Sequence, residues 1–90
     1  MGRFFRFMLF YVYVLHSVNQ DKIYIGFTSD LEARIKSHNE FATKGWTIKF
    51  RPWNLIHAET FQSKNKVLKR EKELKSSRGR DFIRHRIVHS

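Results

Sequence analysis

The stretch that decides the fold is KIYIGFTSDLEARIKSHN, which spans residues 22–39. Its first six residues alternate between two faces with the period of two that is typical of a half-buried strand. After the glycine, the order Ser-Asp-Leu-Glu from Ser29 to Glu32 has the form of a capping box, which predicts a helix with Ser29 as its N-cap. Arg34 and His38 lie one turn apart on the margin of that helix's apolar stripe, so both can reach a neighbouring sheet.

The rest of the chain supplies the partners of this strand and helix. The pattern predicts, in chain order, a strand over 7–15, a polar turn over 18–21, an irregular aromatic loop over 39–51, a strand over 53–61, a helix from a Ser63 cap to about residue 75, a break over 76–79 and a helix over 80–88. This order, ββαβαα, predicts an α+β fold in which a short three-stranded antiparallel sheet is flanked by helices.

Length and composition limit the classes of protein that are possible. Ninety residues, 41% of them hydrophobic, predict a single domain over 1–90 with its core at about 8–86 and an extension over 1–7 that is either poorly ordered or non-essential. Without cysteine, disulfides and cysteine-based zinc sites are excluded, and a reducing cytoplasm is the expected location. The apolar run over 7–15 has nine residues, too few to span a bilayer, so we expect no membrane insertion.

Positive charge is concentrated in the last third of the chain. The formal net charge is +10, and between Lys64 and Arg86 ten Lys or Arg residues face only three acidic ones. So many uncompensated charges exceed what solubility requires and favour contact with phosphate groups. Nucleic acid, rather than an anionic membrane surface, is therefore the expected partner.

Glu71 interrupts the apolar stripe of the helix predicted after Ser63, since on the helical wheel it lies about 40° from Val67, between Val67 and Leu68. A carboxylate buried there needs a cation or strong hydrogen-bond donors to offset its lost hydration. Two interpretations follow from the residues. Glu71 either forms a buried ion pair with a Lys or Arg, or it lies at the floor of a cleft and holds a divalent metal ion.

Taken together, these residues resemble the GIY-YIG nucleases, in the form of small stand-alone bacterial domains. The segment Tyr11-Val12-Tyr13 corresponds to the first signature of that family, with Val and the first Tyr replacing its Ile and Gly, and Tyr24-Ile25-Gly26 corresponds to the second. The basic segment from Lys69 to Ser76, followed by Arg78-Gly79-Arg80, is similar to the tail of the stand-alone subgroup. The resemblance covers about residues 8–86.

The resemblance also implies functional roles for individual residues. It implies catalytic roles for Tyr13, Tyr24, Arg34 and His38, substrate positioning by Tyr11, Gly26, Lys69, Lys75, Arg78 and Arg80, and a Mg²⁺ or Mn²⁺ ligand at Glu71. The asparagine that follows the metal ligand in some repair nucleases has no counterpart here.

The activity that the resemblance implies is metal-dependent endonucleolytic hydrolysis of phosphodiester bonds, in DNA in preference to RNA, with structure-selective cutting in repair or recombination as one use. The alternative is a nucleic-acid-binding module that keeps the fold without useful catalysis, because the basic tail and the aromatic loop would serve either protein. Recognition in this family generally resides in appended domains. We therefore expect either low intrinsic specificity or a partner protein that supplies specificity.

Overall fold

The computed structural model describes residues 8–88, so the extension predicted over 1–7 lies outside the described residues. Three antiparallel strands form one sheet in the order β2-β1-β3, and they span Phe10–Ser17 (β1), Lys22–Thr28 (β2) and Trp53–Phe61 (β3). The central strand pairs Tyr13 with Gly26 of β2 and with Ala58 of β3. The predicted α+β architecture and the order ββαβαα are confirmed.

Helical segments cover both faces of the sheet. They are α1 (Leu31–Lys36), which continues into a π-helical turn (Ser37–Phe41), a 3₁₀ turn (Trp46–Phe50), α2 (Lys64–Lys75), and α3 (Ser77–Phe82), which continues into a second π-helical segment (Ile83–Val88). Within residues 8–88, no helix has both the length and the apolar character needed to cross a membrane.

The sheet separates two hydrophobic clusters of different composition. An aliphatic cluster joins Val12 and Val14 of β1 to Val67 and Leu74 of α2. The other face carries an aromatic cluster, in which Tyr13, Leu15 and Trp53 are buried and Tyr24, Leu31, Ile35 and Phe50 pack against them. Because alternate residues of β1 point to opposite faces, the central strand contributes to both clusters.

The start of α1 differs from the prediction by one residue. Asp30, not Ser29, is the N-cap, and its carboxylate accepts a hydrogen bond from the main-chain N–H of Ala33 at 3.2 Å. The shift agrees with the contact of Thr28, whose hydroxyl accepts the N–H of Asp30 at 3.0 Å and so forms a local turn between the end of β2 and the cap. The predicted return of Glu32 to the cap is therefore wrong.

Three other boundaries also differ. Strand β1 begins at Phe10 and runs to Ser17, rather than ending at residue 15. The segment 39–51, predicted to be irregular, contains the end of the first π-helical turn and the 3₁₀ turn. The predicted break over 76–79 is confined to Ser76, whose side chain caps α3 by accepting the N–H of Gly79 at 3.2 Å.

Gly79 is needed because α3 packs closely on the last turn of α2. A Cβ atom at this position would lie 2.2 Å from the carbonyl oxygen of Glu73 and 2.5 Å from the Cα of Leu74. Both are main-chain atoms, so a side chain here could be accommodated only if one helix moved.

Candidate active site

A cavity of about 420 Å³ lies beside β2, an edge strand of the sheet. Its walls come from β1, β2, the loop before α1, α1 and α2. They include Tyr13, Tyr24, Gly26, Arg34 and Glu71, together with Phe10, Phe27, Thr28, Ser29 and Lys64. Three of the four predicted catalytic residues, the predicted metal ligand and the second signature glycine therefore line one cavity.

Gly26 allows the Tyr13 hydroxyl to lie against the backbone of the neighbouring strand. A Cβ atom at Gly26 would be 2.7 Å from the Tyr13 hydroxyl oxygen and 3.0 Å from a ring carbon of Tyr24. Any larger residue would displace one of the two tyrosine rings. The second signature therefore requires a glycine at this position because there is no room for a side chain.

The fourth predicted catalytic residue, His38, joins the cavity through Tyr13. The hydroxyl oxygen of Tyr13 lies 3.1 Å from Nε2 of His38, and Nδ1 of His38 lies 3.2 Å from the hydroxyl oxygen of Thr47. Tyr13, His38 and Thr47 are all buried. Since a neutral imidazole donates from one ring nitrogen and accepts at the other, these two contacts orient the ring along a line from Thr47 to Tyr13.

Burial and nearby cations shift the pKa values of this pair in opposite directions. Desolvation, followed by the proximity of Tyr24, raises the pKa of Tyr13 well above its ordinary value, and Arg34 only partly offsets this. Desolvation lowers the pKa of His38 below its usual value of 6.5, and the positive charges of Arg34 and Arg51 lower it further. Near neutral pH, Tyr13 is therefore a protonated phenol and His38 a neutral imidazole.

The sequence analysis did not identify the residues that hold His38 in place. The guanidinium of Arg51 donates to the main-chain carbonyls of Ser37 and His38, which begin the π-helical turn, and of Ala42, which follows it. Trp53 anchors the 3₁₀ turn, since its indole N–H donates to the Thr47 carbonyl at 2.8 Å. Arg51 and Thr47 lie in a segment without periodicity, and no sequence signal distinguishes them from other loop residues.

Glu71 is half-buried, with its side chain 17% exposed, and its Oε2 lies 3.2 Å from Nζ of Lys75 one turn along α2. The lysine side chain is 48% exposed. Glu71 therefore forms an i, i+4 ion pair with a lysine, as one interpretation of the sequence required, but the lysine end of the pair is exposed to solvent. Such pairs contribute only about 0.3–0.5 kcal/mol, so Lys75 can leave the carboxylate at little cost.

The predicted substrate-positioning residues do not all lie together. Lys75 and Arg80 line a second cavity, which borders Tyr24 on its other side. Lys69 and Arg78 line a larger cavity of about 800 Å³ at the junction of α2 and α3, which contains none of the predicted catalytic residues. Tyr11 is half-buried on β1 and is not among the described residues that line the cavity around Tyr13. Of the six predicted substrate-positioning residues, only Gly26 lines the cavity around Tyr13.

Comparison with known proteins agrees with this geometry. Residues 9–83 match the model of the GIY-YIG catalytic domain. The chain is 36% identical over 66 residues to a UPF0213 protein of Staphylococcus haemolyticus, and the match covers 73% of this chain and 79% of that protein. It is 39% identical over 57 residues to a UPF0213 protein of Bacillus velezensis, and the match covers 63% of this chain and 58% of the relative's length.

A solved structure gives the same result for the fold. The solution NMR structure of the UPF0213 protein BH0048 from Bacillus halodurans is similar with a TM-score of 0.53 at 30% identity, and the match covers 84% of this chain and 82% of that one. The match to the catalytic-domain model includes both tyrosine signatures and Glu71. This chain belongs to the GIY-YIG family.

Proposed function

We propose that this protein is a divalent-metal-dependent endonuclease that hydrolyses phosphodiester bonds in DNA. The observation that carries the proposal is the single cavity lined by Tyr13, Arg34 and Glu71, in which the tyrosine is hydrogen-bonded to a neutral histidine. A guanidinium and a carboxylate on the walls of one cavity suit a phosphate group and the cation that accompanies it.

The donor set in the cavity fits a hard divalent cation. Glu71 is the one carboxylate among the described residues that line the cavity, and within residues 8–88 no group of three His, Cys, Asp or Glu side chains lies together. Glu71 alone would therefore be the protein's ligand, and water with phosphate oxygens would complete the shell. Mg²⁺ is commonly held in this way, and Mn²⁺ accepts the same oxygen ligands. A cation bound there would supply charge stabilisation for the phosphate and for the departing oxygen.

In the proposed mechanism, Tyr13 and His38 act as one proton-transfer unit. The attacking water gives a proton to the Tyr13 oxygen while the phenol proton passes to Nε2 of His38, which is 3.1 Å away. Arg34 stabilises the charge that develops on the phosphate oxygens. A phosphate bound beside Arg34 would also offset the positive charge that lowers the pKa of His38, so the histidine becomes a stronger base once the substrate is bound.

Thr47 tests this proton relay, because the relay requires the tautomer in which Nδ1–H of His38 donates to the Thr47 hydroxyl and Nε2 is free to accept the Tyr13 proton. Thr47→Val is expected to lower kcat about tenfold, the size of the loss when a buried hydrogen bond loses one partner. The acid limb of the pH–rate profile should also change. In wild type, this limb is expected at a pH below 6.5, because activity is lost when His38 is protonated and the pKa of His38 is lowered from its ordinary value of 6.5. The measurement compares the pH–rate profiles of wild type and variant, and thermal melts of both check that the variant is folded.

Thr47→Ser provides the control for this prediction. The serine keeps the hydroxyl, so the rate and the acid limb should return towards wild type. A Thr47→Val enzyme whose acid limb matches that of wild type would show that Thr47 has no part in setting the tautomer of His38.

The direct test of the proposed function is a cleavage assay. Plasmid, nicked, branched and single-stranded DNA would be incubated with Mg²⁺, Mn²⁺ or a chelator, together with an RNA of matched sequence. We expect cleavage that requires the cation and prefers DNA. Absence of cleavage on every substrate, with nucleic-acid binding retained, would favour the second candidate, a binding module.

One contact favours that second candidate. The ammonium of Lys75 lies 3.2 Å from Glu71, where a metal ion would have to compete with it. A module of this kind would need only the basic surface. On either function, the proposed partner is nucleic acid in the cytoplasm, and a further protein would supply specificity.

Binding to duplex DNA should weaken steeply as the salt concentration rises, whether the protein is an endonuclease or a binding module. The net charge of +10 implies several phosphate contacts, each of which releases counterions. We expect the plot of log affinity against log salt concentration to have a slope of several units between about 50 and 200 mM salt. Fluorescence anisotropy with a labelled duplex and a chelator present measures this slope. A flat plot would rule out binding dominated by phosphate.

A further inference from the structure

A second cavity, of about 550 Å³, lies along β2 next to the proposed active site. Tyr24 lines both cavities, and Lys75, which pairs with Glu71 of the first, lines the second. Its volume is within the range of about 300–1,000 Å³ that is usual for pockets holding small molecules. We call it the Trp46 cavity, after the one tryptophan in its wall.

Trp46 is an exposed aromatic side chain held by other rings. It is 50% exposed, and its ring centroid lies 4.7 Å from that of Phe50 and 5.9 Å from that of Trp53. Trp53 is buried and is itself tied to the 3₁₀ turn by its indole hydrogen bond. The indole of Trp46 is therefore positioned before any ligand arrives, which lowers the entropic cost of stacking on it.

The remaining polar wall of the Trp46 cavity is cationic. Lys22, Lys75, Arg80 and Arg84 contribute to it, and none of its described lining residues is acidic. Two of the four are paired with acids outside the cavity, Lys75 with Glu71 and Arg84 with Asp21. Neither Lys22 nor Arg80 forms an ion pair with any carboxylate in the described part of the chain. Nζ of Lys22 lies 5.7 Å from the centroid of the Phe50 ring, and Nε of Arg80 donates to the main-chain carbonyl of Lys75 at 3.1 Å. Neither contact neutralises a positive charge, so both side chains can still attract phosphate.

We propose that the Trp46 cavity holds an unpaired nucleotide of a single strand, next to the phosphate that is cleaved. The base would stack on Trp46, while Lys22 and Arg80 contact its flanking phosphates. A base in a duplex is covered on both faces by its neighbours and cannot make this contact, so the cavity selects single strands and single-strand junctions. The choice of nucleic acid as the ligand rests on the proposed function.

Tryptophan fluorescence offers a test that needs no variant. The chain has two tryptophans, and Trp53 is only 2% exposed, so a stacking ligand should quench mainly Trp46. Wild-type protein with a chelator would be titrated with a thymidine oligonucleotide, a uridine oligonucleotide and a blunt duplex. We expect quenching with the single strands and little with the duplex, and the two single strands separate a DNA ligand from an RNA ligand. Saturated binding without quenching would overturn the proposal.

Variants at position 46 test the same contact by affinity. Trp46→Ala should weaken binding of a labelled single strand about tenfold, as measured by anisotropy, and should leave duplex affinity within about twofold. Trp46→Phe keeps a ring and should recover most of the loss. Phe41→Ala is the matched control, because Phe41 is also exposed but is not among the described residues lining the cavity, and it should bind as wild type does.

These outcomes separate this proposal from the nuclease proposal. All binding is measured without metal, so a protein that never cleaves can still show a loss of single-strand binding specific to Trp46. If Trp46→Ala weakens single-strand and duplex binding equally, or weakens neither, the cavity does not hold an unpaired base. That result would leave the cleavage assay unaffected.

Discussion

Replacing Glu71 by glutamine is expected to abolish cleavage while the protein stays folded. Glutamine has nearly the same shape but lacks the charge that would hold the cation, whose Lewis acidity is worth several kcal/mol in such reactions. Each 1.36 kcal/mol is a factor of ten in rate, so a loss of about 10³-fold or more is expected. Initial rates on the best DNA substrate, with Mg²⁺ and with Mn²⁺, measure it.

Stability should change little in this variant. The lost partner, Lys75, is 48% exposed, so the ion pair contributes less than about 1 kcal/mol, and the melting temperature should fall by no more than about 4–8 °C. Mn²⁺ should raise the melting temperature of wild type but not of Glu71→Gln. Glu73→Gln, on the exposed side of the same helix, is the matched control and should keep both activity and the response to metal. A wild type that melts at the same temperature with and without metal, together with an active Glu71→Gln, would remove Glu71 from the site.

Removing the Tyr13 hydroxyl should be nearly as damaging to catalysis. Tyr13→Phe leaves the ring in the aromatic cluster but takes away the group that passes protons to His38. General acid–base contributions are about 10²–10⁴-fold, and we expect a loss of kcat in that range. The free energy of unfolding should fall by about 1–3 kcal/mol, because Nε2 of His38 loses its buried partner.

A double-mutant cycle with His38→Ala examines whether the two residues act together. If they form one relay, the double variant should be little worse than either single variant, since each change already breaks the chain of proton transfer. Losses that multiply would instead mean that Tyr13 and His38 contribute independently, and the relay would have to be abandoned.

Parts of the fold with strong local signals could be predicted from the sequence. Strand β3 occupies Trp53–Phe61 as expected, since Pro52 and a run of β-formers mark its start. Helix α2 begins after the predicted cap, Ser63, whose hydroxyl accepts the N–H of Lys66. The placement of Tyr13, Tyr24, Arg34 and Glu71 around one cavity agrees with the pattern expected for the family, although their roles remain predictions.

The features that the sequence did not reveal depend on individual hydrogen bonds and packing contacts that no periodic pattern encodes. Ser29 and Asp30 are both good cap residues, and only the hydrogen bond from Asp30 to the Thr28 side chain selects between them. Glycine usually ends helices, yet Gly79 lies inside α3 because of what packs against it. Thr47 orients a histidine nine residues away, across a segment whose path is set by tertiary contacts.

The close packing at Gly79 restricts the angle between α2 and α3, and this angle determines how far apart the residues on the two helices lie. Glu71 and Lys75 lie on one helix, while Arg80 and Arg84, which line the Trp46 cavity, lie on the other helix and its π-helical continuation. Because main-chain atoms meet at the joint, the angle is fixed by the backbone and not by adaptable side chains. If the protein is the proposed endonuclease, the angle between α2 and α3 sets the distance along a bound strand between the phosphate that is cleaved and the phosphates bound at the Trp46 cavity. Where the enzyme cuts relative to a single-strand junction would then be a property of this one contact.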